Sequence, residues 1–283
     1  MSVLLPFLSK GEGLNHYSFN DRFGLEVNTV YDILQDQNQH FWLGTDQGLI
    51  CYDGGEFKTY APDNYNPELN RLFLDPKGRV WASNFGGQLF RVEGEELITV
   101  MEQTQEKSFI HDYYPLSDTS ILYCVYLGKE LRRYNPVTGE DLSVYPKQAY
   151  SMMLGFQMYP DGIRFQVQET KGQDLKHYSV KSFHLGQDLT YELESQVEVE
   201  KASSFARVVN YNGAPLLLYA DIENLSVLSL SKAGGPVTEL PYRSSKLNAF
   251  SIWDQRLVVH SKKKMVAYDL ISVLGSKFPV GIA

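Results

Sequence analysis

The chain has 283 residues, with 34 acidic against 26 basic side chains and a formal charge of −8, so its mean field repels a phosphate backbone and argues against nucleic acid as a partner. At 43% hydrophobic residues it can bury a core as one large all-β domain or as two smaller domains, without help from disulfides or metals. Its two cysteines, Cys51 and Cys124, stand in no CxxC or Cys/His cluster, which indicates neither a disulfide framework nor a zinc site, and no cofactor motif occurs.

At the N-terminus the apolar run from Val3 to Leu8 is too short for a membrane span or a complete signal peptide, and Ser9-Lys10-Gly11 follows it as a small polar exit. Residues 1–13 are therefore expected to be a leader, the tail of a signal peptide among the alternatives, or a disordered start. An internal repeat then sets the organisation. Residues 36–53, DQNQHFWLGTDQGLICYD, align with residues 75–93, DPKGRVWASNFGGQLFRVE, so that Asp36 falls on Asp75 and Trp42 on Trp81 at an offset of 39 residues. The element Leu49-x-x-Tyr52 recurs at Leu89, Leu131, Leu175, Leu225 and Met265, six copies spaced 40 to 50 residues apart.

A turn signal precedes each copy: Asn38-Gln39, Pro76-Lys77-Gly78, Ser117-Asp118, Pro160-Asp161-Gly162, Asn212-Gly213 and Asp254-Gln255. Short alternating apolar segments fill the spaces, among them Thr29 to Ile33, Ile121 to Tyr126, Ile163 to Val167 and Arg256 to His260. They predict strands rather than helices. Each unit divides into four strands, the last exemplified by Glu56 to Tyr60, and repeated four-stranded units of this length predict an all-β propeller over 14–283. The repeats fall at about 14–60, 61–102, 103–147, 148–200, 201–240 and 241–283. Trp42 and Trp81 are expected to fill the wedges between neighbouring units, and the Glu-rich stretch from Tyr191 to Lys201 to form a surface excursion.

Residues 24–53 resemble the two-component regulator propeller repeat, through Gly24-Leu25, Asn28, Asp36, Trp42-x-Gly44-Thr45 and Gly48-Leu49-x-x-Tyr52. The lead-in from His16 to Phe19 resembles the strand that opens such propellers. The second unit keeps Asp75, Gly78, Trp81, Gly87 and Leu89 but has Ser83-Asn84 in place of Gly44-Thr45. The resemblance implies the periplasmic sensor region of a bacterial, Bacteroides-like hybrid sensor histidine kinase, in many of which the ligand is an oligosaccharide. It further implies two seven-bladed propellers, juxtamembrane and kinase domains downstream, and a homodimer at the level of the kinase. Only six units are visible here, which leaves six or seven blades open; a ring closed by the strand near Tyr17 would leave no bare edge.

Catalytic patterns are not apparent. The six histidines, His16, His40, His111, His177, His184 and His260, are scattered singly, and no nucleophile elbow or phosphate loop occurs. Asp32 and Asp36 could pass for a carboxylate pair, but Asp36 recurs at Asp75, which points to turn capping. Lys262 to Lys264 reads as a solvated hairpin tip. Propeller geometry instead points to the loops that share one face: Asp46-Gln47, Asp63-Asn64-Tyr65, Asn84-Phe85, Lys129-Glu130 and Glu223-Asn224 are the expected ligand-binding residues. Amides, carboxylates and aromatic faces suit sugar hydroxyls and ring faces. A sensor is the leading expectation; a free-standing interaction scaffold is the alternative, and a glycan-active enzyme comes third.

Overall fold

The computed structural model describes residues 25–199, except 28, 160, 172 and 173 and the side chains of 171 and 174–177, and beyond 199 the backbone of strands between 205 and 269. The leader, the lead-in near Tyr17, Gly24, Asn28, Glu223, Asn224, Lys262 and Lys263 lie outside the described residues.

Each repeat folds as an antiparallel meander because its strand segments are three to twelve residues long and are joined by tight turns. The first sheet runs β1 (Val30–Gln35), β2 (Phe41–Thr45), β3 (Gly48–Tyr52) and β4 (Phe57–Tyr60). The second has β5 (Leu69–Leu74), β6 (Val80–Asn84), β7 (Leu89–Glu93) and β8 (Glu96–Met101), and the third β9 (Ile110–Ser117), β10 (Ser120–Val125), β11 (Leu131–Tyr134) and β12 (Asp141–Tyr145). The fourth has β13 (Ser151–Tyr159), β14 (Gly162–Lys171), β15 (Asp174–Leu185) and β16 (Tyr191–Val199). After it come β17 (Phe205–Tyr211), β18 (Ala214–Ala220), β19 (Leu225–Ser229) and β20 (Thr238–Leu240), then β21 (Leu247–Trp253), β22 (Arg256–Ser261) and β23 (Lys264–Asp269).

First strands touch in succession, β1 against β5, β5 against β9, β9 against β13 and β13 against β17. Sheets that meet through their first strands are blades set around a common axis, and the fold is a β-propeller. The apolar clusters lie between blades. Trp42, Leu49 and Tyr60 of the first blade pack on Leu69, Leu72 and Phe90 of the second. Trp81 and Leu89 then pack on Ile110, Tyr113 and Tyr123 of the third. The repeated tryptophan thus fills the wedge toward the next blade each time. Strand β6 is buried along its whole length because it is covered on both faces, Val80 and Ala82 by the first blade and Trp81 by the third.

The repeated aspartate explains the repeated tryptophan. Asp36 accepts backbone N–H bonds from Asn38 (2.8 Å) and His40 (2.9 Å) through Oδ1, and the Trp42 indole N–H (2.9 Å) through Oδ2. Asp75 does the same for Lys77, Arg79 and Trp81, at 2.9, 2.9 and 3.0 Å, and adds the Arg79 guanidinium at 2.7 Å. One carboxylate closes the turn and satisfies the indole six residues on, so the turn-capping expectation holds. Burial raises the pKa of both carboxyls, but the indole and backbone donors outweigh it and leave both lowered. Exposed Asp118, held by Lys77 and Arg79, is lowered to about 2. A group whose folded pKa lies below its unfolded value stabilises the fold above the unfolded pKa, about 3.9, and the contribution disappears as the proton goes on. Urea melts are therefore expected to give a flat stability from neutral pH to about pH 4 and a decline from there toward pH 2. Asp75→Asn should flatten that decline; an unchanged slope in the variant would remove Asp75 from it.

Two expectations change in the fourth blade. Tyr191 to Val199 is no surface excursion but the outer strand β16, in antiparallel register with β15 from Leu185↔Tyr191 to Tyr178↔Val199. An outermost strand is open to water along much of both faces, so Glu192, Glu194 and Glu198 fit a regular ladder and also blunt its edge. The copy at Leu175 is also out of place. The first strands of the first four blades carry a bulge at the same point, at Tyr31, Asn70, His111 and Leu154. Counting from it, Gly155 pairs with Gln166 and Gln166 with Ser182, as Asp32 pairs with Gly44 and Gly44 with Leu49. Ser182 stands where Leu49 stands, and Leu175 belongs to a hairpin that runs past the loop end of the blade.

Candidate functional site

One end of the propeller carries the β2–β3, β6–β7 and β10–β11 turns together with the connections that lead into each next first strand. Asp46 bonds back to Thr29, its backbone N–H to the carbonyl at 3.2 Å and its Oδ1 from the Thr29 N–H at 3.4 Å. The Gln47 amide donates to the Glu26 carbonyl at 2.8 Å. Asp63 and Asn64 are exposed, and Asn64 has φ 61°, a backbone region asparagine tolerates. Tyr65 turns inward, its ring 5.9 Å from that of Phe90. Lys129 is half-buried, and Glu130 pairs with Arg132.

Asn84 is fully buried with every polar group occupied: Nδ2 donates to the Asn66 carbonyl (2.9 Å), and Oδ1 accepts from the N–H groups of Gly86 (3.1 Å) and Gln88 (2.9 Å). It braces the turn that presents Phe85. Asn66 in turn bonds Glu68 through Nδ2 (3.2 Å), and Glu68 Oε1 accepts the Tyr31 hydroxyl at 2.9 Å. That bond is the main reason the Tyr31 phenol pKa is raised.

Phe85 stands at the centre of an arc of rings. Its centroid is 5.1 Å from Tyr31 and 5.6 Å from Phe109, with interplanar angles of 80° and 72°. Phe109 stacks on Tyr126 at 4.7 Å and 17°, and His111 lies 6.2 Å beyond. Phe85 is 39% exposed and Tyr126 47%, which is unusual for rings that could have been buried. The sequence candidates reached Phe85 but missed Tyr31, Glu68, Phe109, His111 and Tyr126. One sequence signal was available: Asp46, Phe85 and Tyr126 each follow the last residue of a second strand, at Thr45, Asn84 and Val125.

Below the arc, the bulges aim polar residues at neighbouring first strands. Asp32 Oδ2 accepts the Leu72 N–H at 2.8 Å, and Asp112 Oδ2 accepts that of Phe156 at 3.2 Å. Arg71 occupies the corresponding place between them and donates to Asp112 Oδ1 at 2.8 Å, and the charge of Asp112 is the main reason its pKa is raised. Asp32 therefore ties blades together. At the opposite end a cleft of about 770 Å³ lies between the first two blades, but Asp36 and Arg79 in its wall serve the turns and Lys58 pairs with Glu95 at 2.8 Å. Cys51, also in that wall, is a free thiol whose pKa burial raises to about 11, which leaves it unreactive at neutral pH.

Among the described residues, no group of three or more His, Cys, Asp or Glu could hold a metal ion, and no helix is long and apolar enough to cross a membrane. No curated protein matches the chain by sequence. Among solved structures it is similar to two extracellular domains from B. thetaiotaomicron. One, assigned to a one-component system, has a TM-score of 0.61 and 9% identity over 89% of this chain and 36% of that one. The other, assigned to a hybrid two-component system, has 0.58 and 15% over 88% and 34%. The chain thus spans about a third of their length. It is also similar to virginiamycin B lyase from Staphylococcus aureus, with 0.58 and 12% over 84% and 83%. Identities this low show a shared fold and no more. Residues 24–47 match the family described as Two component regulator propeller. The match falls on the first blade, with its capped turn, buried Trp42 and close-packed Gly44, and that blade is similar to a two-component regulator propeller repeat.

Proposed function

We propose that this chain is a ligand-binding propeller from the extracytoplasmic, periplasmic region of a two-component sensor, and that its ligand is an oligosaccharide bound on the face that carries Phe85. The observation that carries this reading is the arc from Tyr31 through Phe85 and Phe109 to Tyr126, flanked by Glu68 and Asp46. Exposed rings offer stacking faces for sugar rings, and fixed polar groups beside them orient hydroxyls. Binding would shift the packing of blades or neighbouring domains, and juxtamembrane and kinase domains downstream, paired in a homodimer, would read the shift as a change in population.

Thermal-shift screening against oligosaccharides tests it, since a ligand that binds only the folded chain raises the apparent melting temperature by about 3 kcal/mol worth of stability at a hundredfold excess over Kd. The expected result is a concentration-dependent rise for one glycan class that Phe85→Ala abolishes. A flat response across the panel from folded protein would discard oligosaccharide sensing by this chain in favour of an interaction scaffold.

A further inference from the structure

The aspartate and tryptophan that close the first two blades are both missing from the third. Asp32, Arg71 and Asp112 stand just past the bulges and pair with Gly44, Ser83 and Cys124. Four places after them come Asp36, Asp75 and Leu116, and two places before their partners come Trp42, Trp81 and Leu122. Cap and indole are thus lost together, and leucine replaces each. Leu122 is fully buried between the third and fourth blades, in one cluster with Phe165 and Phe183, but it fills less of a wedge than an indole does.

The wedge is open at the end where the β13–β14 hairpin turns, opposite Phe85. A cavity of about 540 Å³ lies there, walled by Leu116 of the third blade and by Met158, Ile163, Leu185 and Leu189 of the fourth. Leu116 is 38% exposed and Met158 39%. Leu189 packs on the same cluster from a turn in which its φ is 65°, a region that strains a bulky residue. The charges at the rim are engaged. The Asp161 carboxylate takes two N–H bonds from Arg164, at 2.6 and 2.8 Å, and its carbonyl lies 3.3 Å from His184 Nε2. Asp188, beside Leu189, accepts from the Thr190 N–H at 3.1 Å and its hydroxyl at 2.7 Å. Gln187 adds an uncharged polar group to the wall.

We infer that this cavity is a second binding site, for a small, uncharged and largely apolar molecule. Its volume is that of a small-molecule site. A protein partner would cover about 800 Å² on this side, and the walls offer it two exposed apolar side chains. An ion would give up its hydration and find Asp161 already paired with Arg164. Met158, flexible and polarisable, can adjust to the shape of what enters. The cleft between the first two blades differs on each count, since Trp42 fills its wedge and Asp36, Lys58 and Arg79 line it. The inference is independent of the oligosaccharide reading, which concerns the other end of the propeller.

Fluorescence titration of the full chain with N-phenylnaphthylamine, an uncharged apolar probe, tests it beside anilinonaphthalene sulfonate, which carries the same rings and a negative charge. The expected result is saturable binding of the neutral probe, about tenfold tighter than that of the sulfonate. Met158→Trp, which puts an indole into the cavity, should abolish that binding, and Phe85→Ala should leave it unchanged. Carbon-proton spectra of the methionine methyl groups locate the probe without a filling variant. The Met158 signal, assigned by its loss in the conservative Met158→Leu, should shift as the neutral probe binds. Absence of saturable binding overturns the site, and so does binding that survives Met158→Trp or leaves the Met158 signal unmoved. Equal or tighter binding of the sulfonate overturns the choice of an uncharged ligand. A folding defect in Met158→Trp leaves the methyl shift to decide, and none of these outcomes alters the thermal-shift test of the Phe85 face.

Discussion

Trp81→Ala is expected to lower the stability of the propeller by about 4 kcal/mol, the usual cost of removing a large buried aromatic. Trp81 is fully buried between the second and third blades, packed with Leu89, Ile110, Tyr113 and Tyr123, and Arg91 lies over its ring at 5.1 Å. Truncation opens a cavity at a joint between two sheets, where neither can collapse into the gap without breaking its own ladder. It also leaves Asp75 one donor short, although its two backbone N–H bonds and Arg79 remain. In a chain of this size the apparent melting temperature should fall by roughly 8 °C. Trp81→Phe separates the two contributions: it keeps most of the volume and loses only the indole N–H, so it should cost about 1 to 2 kcal/mol. A Trp81→Ala protein that melts with the wild type would mean that the blades do not pack as described.

Gly44→Val is expected to be nearly as damaging, by about 3 kcal/mol, through overpacking rather than a void. A Cβ on Gly44 would stand 2.7 Å from the Leu69 carbonyl oxygen and 3.4 Å from a methyl of Leu72. The obstacle is backbone, held by the pairing of Leu69 with Asn84 in the second blade, so it cannot swing aside as a side chain would. Close approach, not backbone conformation, is what demands glycine here. Gly55→Ala is the control, because its Cβ would meet only the Asp53 carboxylate at 3.6 Å, an ordinary contact. Chemical denaturation of the two variants should place the control within about 0.5 kcal/mol of wild type. Equal behaviour of the two would show that the first and second blades are not as tightly apposed as these distances require.

Most of the site was less legible than the fold. Phe85 could be reached because it lies in a turn with evident repeat position, but Tyr31 looked like one more apolar residue of a strand. Its place in a bulge, and the donation of its hydroxyl to Glu68 on the next blade, depend on how the first strands twist together. Asn84 looked like a ligand residue since amides on loops often are. Three hydrogen bonds that no composition reveals turn it into a brace. The fourth blade shows the converse error: a Leu-x-x-Tyr pattern recurred at Leu175 at nearly the right spacing, but the blade's longer strands had moved the equivalent position to Ser182.

By itself the amino-acid sequence determined what depends on near neighbours. The 39-residue offset of Asp36 and Trp42 to Asp75 and Trp81, the turn signals and the period-2 apolar segments are local, and they suffice for strands, hairpins and the propeller class. The tertiary structure alone decided which side chains meet at this end of the propeller. Tyr31, Glu68, Phe85, Phe109 and Tyr126 come from three blades and are brought together by first strands converging on a common centre. No spacing along the chain encodes that convergence, because the sheets, not the sequence interval, set the distance between blades.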